Sequence, residues 1–348
     1  MQKTVCLSLV IMNAFLLIPA AGQEPAAAPI NADAINAANL ATSFVVDDRP
    51  YIFAPEQVIG EPEPAAPAAP VAPNPAIVRA QVLLDQQGAS PGVIDGYDGE
   101  NVRKAVMAFQ AMAGMPVTGN LDAQVLARLE TGQPVIGSYV IGAEDVADIT
   151  GPTPADYAEK AQLAFLGYAS VAEKLAERFH MDIDLLIALN PGSGFAEGDT
   201  IQAAMAGAAQ TGVITRIEAD KTLRQVRAYD AKGMLVAAYP ATIGSEDNPS
   251  PSGSYLVEVV APMPTYTYNP AINFQQGDNT EVLTIPPGPN GPVGTIWIAL
   301  SKPTYGIHGT PEPSQIDKTG SHGCVRLTNW DAEELAGMVA PGVKVDFL

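Results

Sequence analysis

The chain has 348 residues, a length that accommodates two or three domains and at least one sizeable hydrophobic core. Its 38 acidic residues outnumber its 18 basic residues, which gives a formal net charge of −20. Because such a surface repels phosphate groups, the composition argues against nucleic acid as a partner and against docking on anionic lipid.

Residues 1–22 have the three parts of a secretory signal peptide. Lys3 supplies the positive charge, residues 5–18 form an apolar run, and Ala20 and Gly22 suit a cleavage site. The run is shorter than the roughly 20 residues of a membrane-spanning helix, and an uncleaved anchor is the alternative. The sequence contains no later apolar stretch of sufficient length, so we expect an exported, periplasmic or wall-associated protein without a transmembrane span.

Residues 23–75 are rich in Ala and Pro and predict a linker. The run 61–70 favours extended, polyproline-like conformations, so we expect a semi-rigid spacer before the first domain. A disordered tail without function is the alternative.

Residues 76–130 predict a compact domain of three helices, because apolar residues recur at the i, i+3, i+4 and i+7 spacing of a helix face. The turn 94–99 contains Asp95 and Asp98, which invite a calcium site. The twelfth position of that loop is Val106, however, where a bidentate Glu is needed. We therefore interpret these aspartates as turn formers that bond to nearby backbone.

This segment resembles the peptidoglycan-binding-like domain of bacterial wall enzymes. The resemblance rests on the Asp95-Gly96…Gly99 turn, the Ala105…Phe109-Gln110 helix and the Gly114…Gly119 pair. It implies binding to the wall glycan, and a purely structural domain is the alternative. Asn101, where the family usually has Thr, is expected to cap the second helix.

Residues 131–155 contain Gly, Pro and Asp without clear periodicity and are interpreted as a connector. Residues 156–208 then predict a small module with helices at 171–179 and 183–189. The Leu-Ala, Phe and Leu-Asn-Pro spacing resembles a divergent lysin motif, a βααβ unit that binds glycan N-acetyl groups. Its front departs from that motif, because residues 169–171 read Ala-Ser-Val in place of the usual Gly-Asp-Thr.

Residues 212–348 predict a β-rich sandwich or barrel with one attached helix. Strands are expected at 213–217, 222–229, 234–239, 255–260, 295–300 and 343–347. Asn329 is expected to cap a helix over 330–339. The whole chain is thus predicted to be multi-domain α+β, with a three-helix domain, a βααβ-like module and this C-terminal domain.

Cys324 lies outside the predicted signal peptide, whereas the chain's other cysteine, Cys6, lies inside it. A lone thiol in an exported protein is a buried bystander, an intermolecular link or a reactive group. Two of the three histidines, His308 and His322, are close to it in sequence. Because a neighbouring imidazole or backbone N–H groups lower the pKa of a thiol, this setting favours a nucleophile.

A Cys–His acyl-transfer site needs a thiolate, an imidazole that takes and returns the proton, and backbone N–H groups that stabilise the oxyanion. Cys324 is the candidate nucleophile and His308 the candidate base and acid. The carbonyl of Gly309 is a candidate to orient the imidazole. The N–H groups of Gly323 and Cys324 are candidates to face the oxyanion, since glycine allows close approach.

These residues closely resemble the signature of the L,D-transpeptidase catalytic domain. The resemblance rests on His308-Gly309-Thr310 and Ser321-His322-Gly323-Cys324-Val325-Arg326, with support from residues 251–255 and 286–289. It implies a β-rich fold and a cysteine acyl-enzyme formed on the peptidoglycan tetrapeptide stem with release of D-Ala. The acyl group then passes to a side-chain amine of a neighbouring stem, and carbapenems acylate the same cysteine.

The resemblance also implies roles by position. Cys324 is nucleophile, His308 general base and Gly309 its carbonyl partner, while Ser321, His322 and Arg326 shape and stabilise the site. Tyr305 is expected to touch substrate. Asp317 departs from the family's usual Gly, and we expect it to affect only loop geometry.

Several alternatives stay open at this point. Cys324 could be a small buried hydrophobe. His308, His322 and Cys324 could ligate zinc, but a fourth ligand at suitable spacing is absent, so neither metal nor cofactor is expected. The alternative functions are an L,D-carboxypeptidase that uses the same acyl-enzyme, attachment of a protein to the wall, and a non-catalytic wall-binding scaffold.

Overall fold

The structure is a computed structural model that describes residues 29–43, 72–245, 248–272, 274–321 and 323–348. The predicted signal peptide and the run 61–70 of the predicted linker lie outside these ranges. Among the described residues, no helix combines the length and the apolar character that crossing a membrane requires.

The helices of the described residues are α1 (Ala32–Asn36), α2 (Leu40–Ser43), α3 (Pro75–Asp85), α4 (Glu100–Met112), α5 (Ala123–Leu129), α6 (Tyr157–Lys160), α7 (Val171–Arg178), α8 (Ile183–Leu189) and α9 (Asn329–Met338). The strands are β1 (Ile136–Val140), β2 (Thr200–Ala204), β3 (Arg216–Asp220), β4 (Gln225–Tyr229), β5 (Leu235–Pro240), β6 (Thr242–Ile243), β7 (Gly253–Pro262), β8 (Tyr266–Tyr268), β9 (Leu283–Ile285), β10 (Ile296–Leu300), β11 (Gly306–His308), β12 (Val325–Arg326) and β13 (Lys344–Phe347). This is the predicted α+β class, with helices first and a β-rich domain with one helix at the end.

Helices α3, α4 and α5 form the predicted three-helix domain. The turn between α3 and α4 is held by Gln81, whose side-chain oxygen accepts from the N–H of Gly96 at 2.8 Å. Asp95 acts as a turn former, because its carboxylate accepts from the N–H of Tyr97 at 2.9 Å. Asn101 was wrongly predicted as the cap of α4: the N-cap is Gly99, without a side-chain bond.

Part of the predicted linker is folded. Helices α1 and α2 bury Ile35 and Leu40 against the three-helix domain, at 0% and 1% exposure. The side-chain oxygen of Asn36 accepts from the N–H groups of Val135 and Ile136 at 2.8 and 2.9 Å. Two buried apolar side chains and the hydrogen bonds of the Asn36 amide hold this stretch in place, so residues 32–40 are not an extended spacer.

The predicted connector contains a strand. Strand β1 pairs antiparallel with β2, from Ile136↔Ala204 to Val140↔Thr200. The two strands enclose α6, α7 and α8 in chain order. Interpreting residues 131–155 as a simple connector was therefore wrong for β1, which belongs to the middle module. The lysin-motif resemblance and the binding of glycan by this module stay predictions.

The C-terminal domain is built on one sheet with the strand order β5-β4-β3-β13-β7-β10-β11-β12-β6. Strand β13 pairs parallel with β3 and antiparallel with β7, so the last strand lies inside the sheet. The first strand starts later than predicted, since Val213 is 75% exposed and β3 begins at Arg216. Helix α9 covers β10 and β11 with Ala332 and Leu335, both fully buried.

The three-helix domain continues this sheet. The N–H of Ser90 donates to the carbonyl of Ala238 in β5 at 2.9 Å, and the N–H of Ala238 donates to Gly88 at 2.9 Å. Lys104 of α4 reaches the C-terminal domain as well, with its Nζ 2.6 Å from a carboxylate oxygen of Asp317. The helical part of the chain therefore packs directly on the domain that carries the candidate site.

Candidate active site

The predicted catalytic residues converge at two short parallel strands. In the pairing of β11 with β12, His308 lies opposite Arg326, and Cys324 immediately precedes β12. A cavity of about 320 Å³ opens here. Its lining includes the predicted site residues His308, Cys324, Arg326, Ser321 and Tyr305. His322 lies outside the described residues.

His308 is buried, and its surroundings favour the neutral imidazole. Its Nδ1 lies 2.7 Å from the carbonyl oxygen of Gly309. Because a carbonyl only accepts, Nδ1 carries the hydrogen and Nε2 keeps a free lone pair. Burial lowers the pKa of His308 to about 4, and the positive charge of Arg326 acts in the same direction. The ring of Trp297 stacks on the imidazole, with centroids 5.4 Å apart.

Cys324 is half-buried, with its thiol against the loop that precedes β11. Its Sγ lies 3.6 Å from the carbonyl oxygen of Thr304, a distance that suits a weak S–H donor. Burial raises the pKa of Cys324 above its usual value, although the N–H of Gly306 and the charge of Arg326 oppose that shift. The site therefore combines a thiol whose pKa is raised with an imidazole whose pKa is lowered, and both shifts favour the neutral form of the group.

The loop that carries Cys324 is fixed by hydroxyl groups. Ser321 Oγ accepts from the N–H of Gly244 at 2.8 Å and donates to the carbonyl of Cys324 at 2.6 Å. Ser250 Oγ donates to the carbonyl of Gly323 at 2.8 Å. Both hydroxyls bind backbone, so they set the shape of the turn that presents the thiol.

Gly323 occupies a conformation that favours glycine. Its φ is +99°, and a Cβ atom there would lie 3.0 Å from the ring of Tyr305. The Tyr305 ring therefore lies directly against the turn, where the sequence predicts contact with substrate.

Asn329 does not cap α9 as predicted. The cap is Thr328, whose hydroxyl accepts from the N–H of Asp331 at 3.1 Å. The side chain of Asn329 points instead at Gly309, since a Cβ atom added at Gly309 would collide with the amide oxygen of Asn329. The sequence analysis missed this contact, because Thr328 and Asn329 are equally suited to the cap position.

Aromatic residues that the sequence analysis did not assign form one wall of the cavity. Tyr157 of α6 packs edge-to-face on Tyr266 and Phe274, with ring centroids 6.1 and 6.0 Å apart. The N–H of Tyr157 donates to the side chain of Gln276 at 3.1 Å. No spacing in the sequence could have indicated this wall, because α6 is far from Cys324 along the chain.

The described residues contain no group of three His, Cys, Asp or Glu side chains that could hold a metal ion. The ligands considered for zinc included His322, which is not among them.

Comparison with known families gives two matches. Residues 214–346 match the model of the L,D-transpeptidase catalytic domain, and residues 73–129 match a model described as "Putative peptidoglycan binding domain". These two segments contain the candidate active site and the three-helix domain, respectively.

Individual relatives carry the same name as the catalytic domain. "Putative L,D-transpeptidase YkuD" of Bacillus licheniformis is 30% identical over 183 residues, which is 50% of this chain and 90% of the relative. Its Bacillus subtilis counterpart is 33% identical over 111 residues, and this chain covers 52% of its length. A solved structure, L,D-transpeptidase 3 of Mycobacterium tuberculosis with a faropenem-derived adduct, is 16% identical with a TM-score of 0.33, covering 43% of this chain and 74% of that one.

Proposed function

This chain belongs to the L,D-transpeptidase family, and we propose that it cross-links peptidoglycan by acyl transfer through Cys324. The observation that carries the assignment of the nucleophile is the joint placement of Cys324 and a neutral His308 on one cavity. Because the imidazole is neutral with Nε2 free, it can accept the proton of a thiol whose own pKa is raised.

In the first half-reaction, the sulfur of Cys324 attacks the carbonyl carbon before the terminal D-Ala of a tetrapeptide stem. The thiol proton moves to Nε2 of His308 and then to the departing amine, so the C–N bond breaks as D-Ala leaves. A thioester between Cys324 and the shortened stem remains. The N–H groups of Gly323 and Cys324 are the proposed donors to the oxyanion.

In the second half-reaction, the side-chain amine of a neighbouring stem attacks the thioester. Its proton is taken by His308 and returned to the sulfur as the C–S bond breaks, and a new amide joins the two stems. Exclusion of water favours this route over hydrolysis. The aromatic wall formed by Tyr157, Tyr266 and Phe274 is an apolar surface suited to that task.

The supporting residues have proposed roles that follow from their contacts. The carbonyl of Gly309 keeps the His308 tautomer in which Nε2 is basic. Ser321 shapes the turn before Cys324, and Arg326 supplies a positive charge beside the cavity for an anionic stem. Tyr305 is the proposed substrate contact, and carbapenems are expected to acylate Cys324.

The parts of the chain outside the candidate active site also have proposed roles. The family match over residues 73–129 supports wall binding by the three-helix domain. We keep a signal peptide at 1–22 and export to the periplasm as proposals. The domain limits 76–130, 156–208 and 212–348 are proposals as well, with β1 added to the middle module.

The test measures the mass of the intact mature chain after it is mixed with a tetrapeptide muropeptide. The Cys324→Ala variant is treated in the same way as the control. We expect a mass gain on the wild type alone, together with released D-Ala and a cross-linked dimer. Released D-Ala and tripeptide without a dimer would make the protein an L,D-carboxypeptidase. A folded wild type with a free thiol that gains no mass from muropeptide or imipenem would refute the enzyme assignment and leave a wall-binding scaffold.

A further inference from the structure

A carboxyl group from outside the catalytic domain contacts Asn329, the residue that packs against Gly309 next to the candidate base. Glu177 is on α7 of the middle module and is 7% exposed. Both of its carboxyl oxygens accept from Nδ2 of Asn329, at 3.3 and 3.0 Å. Asn329 itself is 2% exposed, so this contact between the two parts of the chain is buried.

Both the nitrogen and the oxygen of the Asn329 side-chain amide form further hydrogen bonds within the catalytic domain. Its Nδ2 also donates to the carbonyl of Pro289 at 3.2 Å, and its Oδ1 accepts from the N–H of Thr295 at 3.2 Å. The oxygen fills space that two glycines leave open, Gly294 and Gly309. The orientation of this amide therefore sets how closely the backbone of Gly309 can approach it.

The path from the carboxyl group to the imidazole is short. Glu177 holds Asn329, Asn329 abuts Gly309, and the carbonyl of Gly309 accepts from Nδ1 of His308 at 2.7 Å. Burial raises the pKa of Glu177 to about 8, so the group carries little charge at neutral pH and serves as a hydrogen-bond acceptor.

We propose that Glu177 is a positioning residue for His308, acting through Asn329 and Gly309, so that the middle module is part of the catalytic apparatus. The inference rests on the proposed function of Cys324 and His308. Removing the acceptor leaves a buried N–H of Asn329 unpaired, and the amide then turns or shifts to find another partner. A shift of about 1 Å in a catalytic group costs on the order of 100-fold in rate.

The test compares three full-length variants in the rate of Cys324 acylation by imipenem, followed by intact mass. Glu177→Leu keeps the volume and removes the acceptor, and we expect a loss of roughly 10- to 100-fold. Glu177→Gln keeps an acceptor oxygen and should stay within about threefold of wild type. Glu173→Leu is the matched control: it lies one turn away on α7 and contacts the C-terminal domain through Asn290 instead.

Two outcomes overturn the inference. One is a folded Glu177→Leu with the wild-type rate. The other is an equal loss in Glu177→Leu and Glu173→Leu, which would indicate general loosening of the interface. Should Glu177→Leu not fold, Glu177→Asp replaces it, because the shorter side chain withdraws the carboxyl group; a rate equal to that of Glu177→Gln then refutes the inference.

A second readout separates this inference from the proposed function. Nitrogen-15 NMR of the His308 ring reports the hydrogen bond to Gly309 without any turnover. We expect the Nδ1 resonance to shift in Glu177→Leu and to return in Glu177→Gln. A shift of that kind in a protein that imipenem does not acylate would refute the acyl-transfer function and retain the positioning. An unchanged resonance would refute the positioning.

Discussion

A buried ion pair joins the three-helix domain to the loop between His308 and Cys324, and its removal should destabilise the whole chain. Nζ of Lys104 lies 2.6 Å from Asp317, and the two side chains are 1% and 5% exposed. Burial lowers the pKa of Lys104 and raises that of Asp317, and the pairing of the two groups opposes both shifts. The change to make is Lys104→Met, which keeps an unbranched side chain one atom shorter and removes the charge.

The magnitude follows from what the change leaves behind. Removing one partner of a buried pair costs about 3–5 kcal/mol, because the other charge stays buried without compensation. Arg224 still faces Asp317, with Nε 2.7 Å from the carboxylate, but it is half-exposed. We therefore expect the low end, about 3 kcal/mol. The φ of Asp317 is +68°, a value that glycine adopts freely, so adding Asp317→Gly should recover most of the loss.

The assay is urea unfolding of the full chain, followed by the fluorescence of its two tryptophans, Trp297 and Trp330. Lys344→Met is the control, because its ion pair with Asp346 lies at the surface, and we expect a change below about 1 kcal/mol. A Lys104→Met variant that unfolds within 1 kcal/mol of wild type, or a double variant no better than the single one, would show that the pair does not hold the two domains together.

Two further predictions concern the site. Because the pKa of His308 is lowered to about 4 from 6.5, the imidazole stays neutral through mildly acidic pH. Acylation of Cys324 by imipenem should therefore hold level from about pH 7 to 5 and fall only as protonation removes the Nε2 acceptor near pH 4; a midpoint near 6.5 would contradict the burial argument. Gly323→Ala forces a side chain into a positive φ against Tyr305, so the acylation rate should drop by roughly 100-fold. Gly337→Ala in α9, where an added Cβ meets open space, should leave that rate unchanged.

The sequence predicted best those features that depend on neighbours along the chain. Asp95 forms the turn that its position before Gly96 indicates, because an Asx side chain bonds to backbone two residues away. The carbonyl of Gly309 is hydrogen-bonded to Nδ1 of His308, and this contact was predictable because the two residues are adjacent in the chain. Strand β10 (Ile296–Leu300) lies where a strand was predicted at 295–300, because a short run of apolar residues is a local strand signal.

Features that depend on residues far apart in the chain could not be predicted from the sequence. Strand β1 has only one buried residue, Ile136, and its pairing partner β2 lies beyond three helices. Ile35 and Leu40 are too few apolar residues in an Ala-rich stretch to predict a packed helix from sequence. Both are nevertheless buried, because they pack into the same core as α3. The departure at Asp317 was visible, but the expectation that it affects only loop geometry was wrong, because its carboxylate pairs with Lys104, 213 positions earlier in the chain.

The hydrogen bonds between residues 88–90 and β5 cover an edge of the C-terminal sheet. Strand β5 is at one end of the large sheet, where unpaired N–H and C=O groups act as a template for other strands. In this protein the groups of Ala238 are already occupied by Gly88 and Ser90, and α4 lies across the same strand. An excised fragment 212–348 would expose that edge, so such a fragment should self-associate more readily than the full chain.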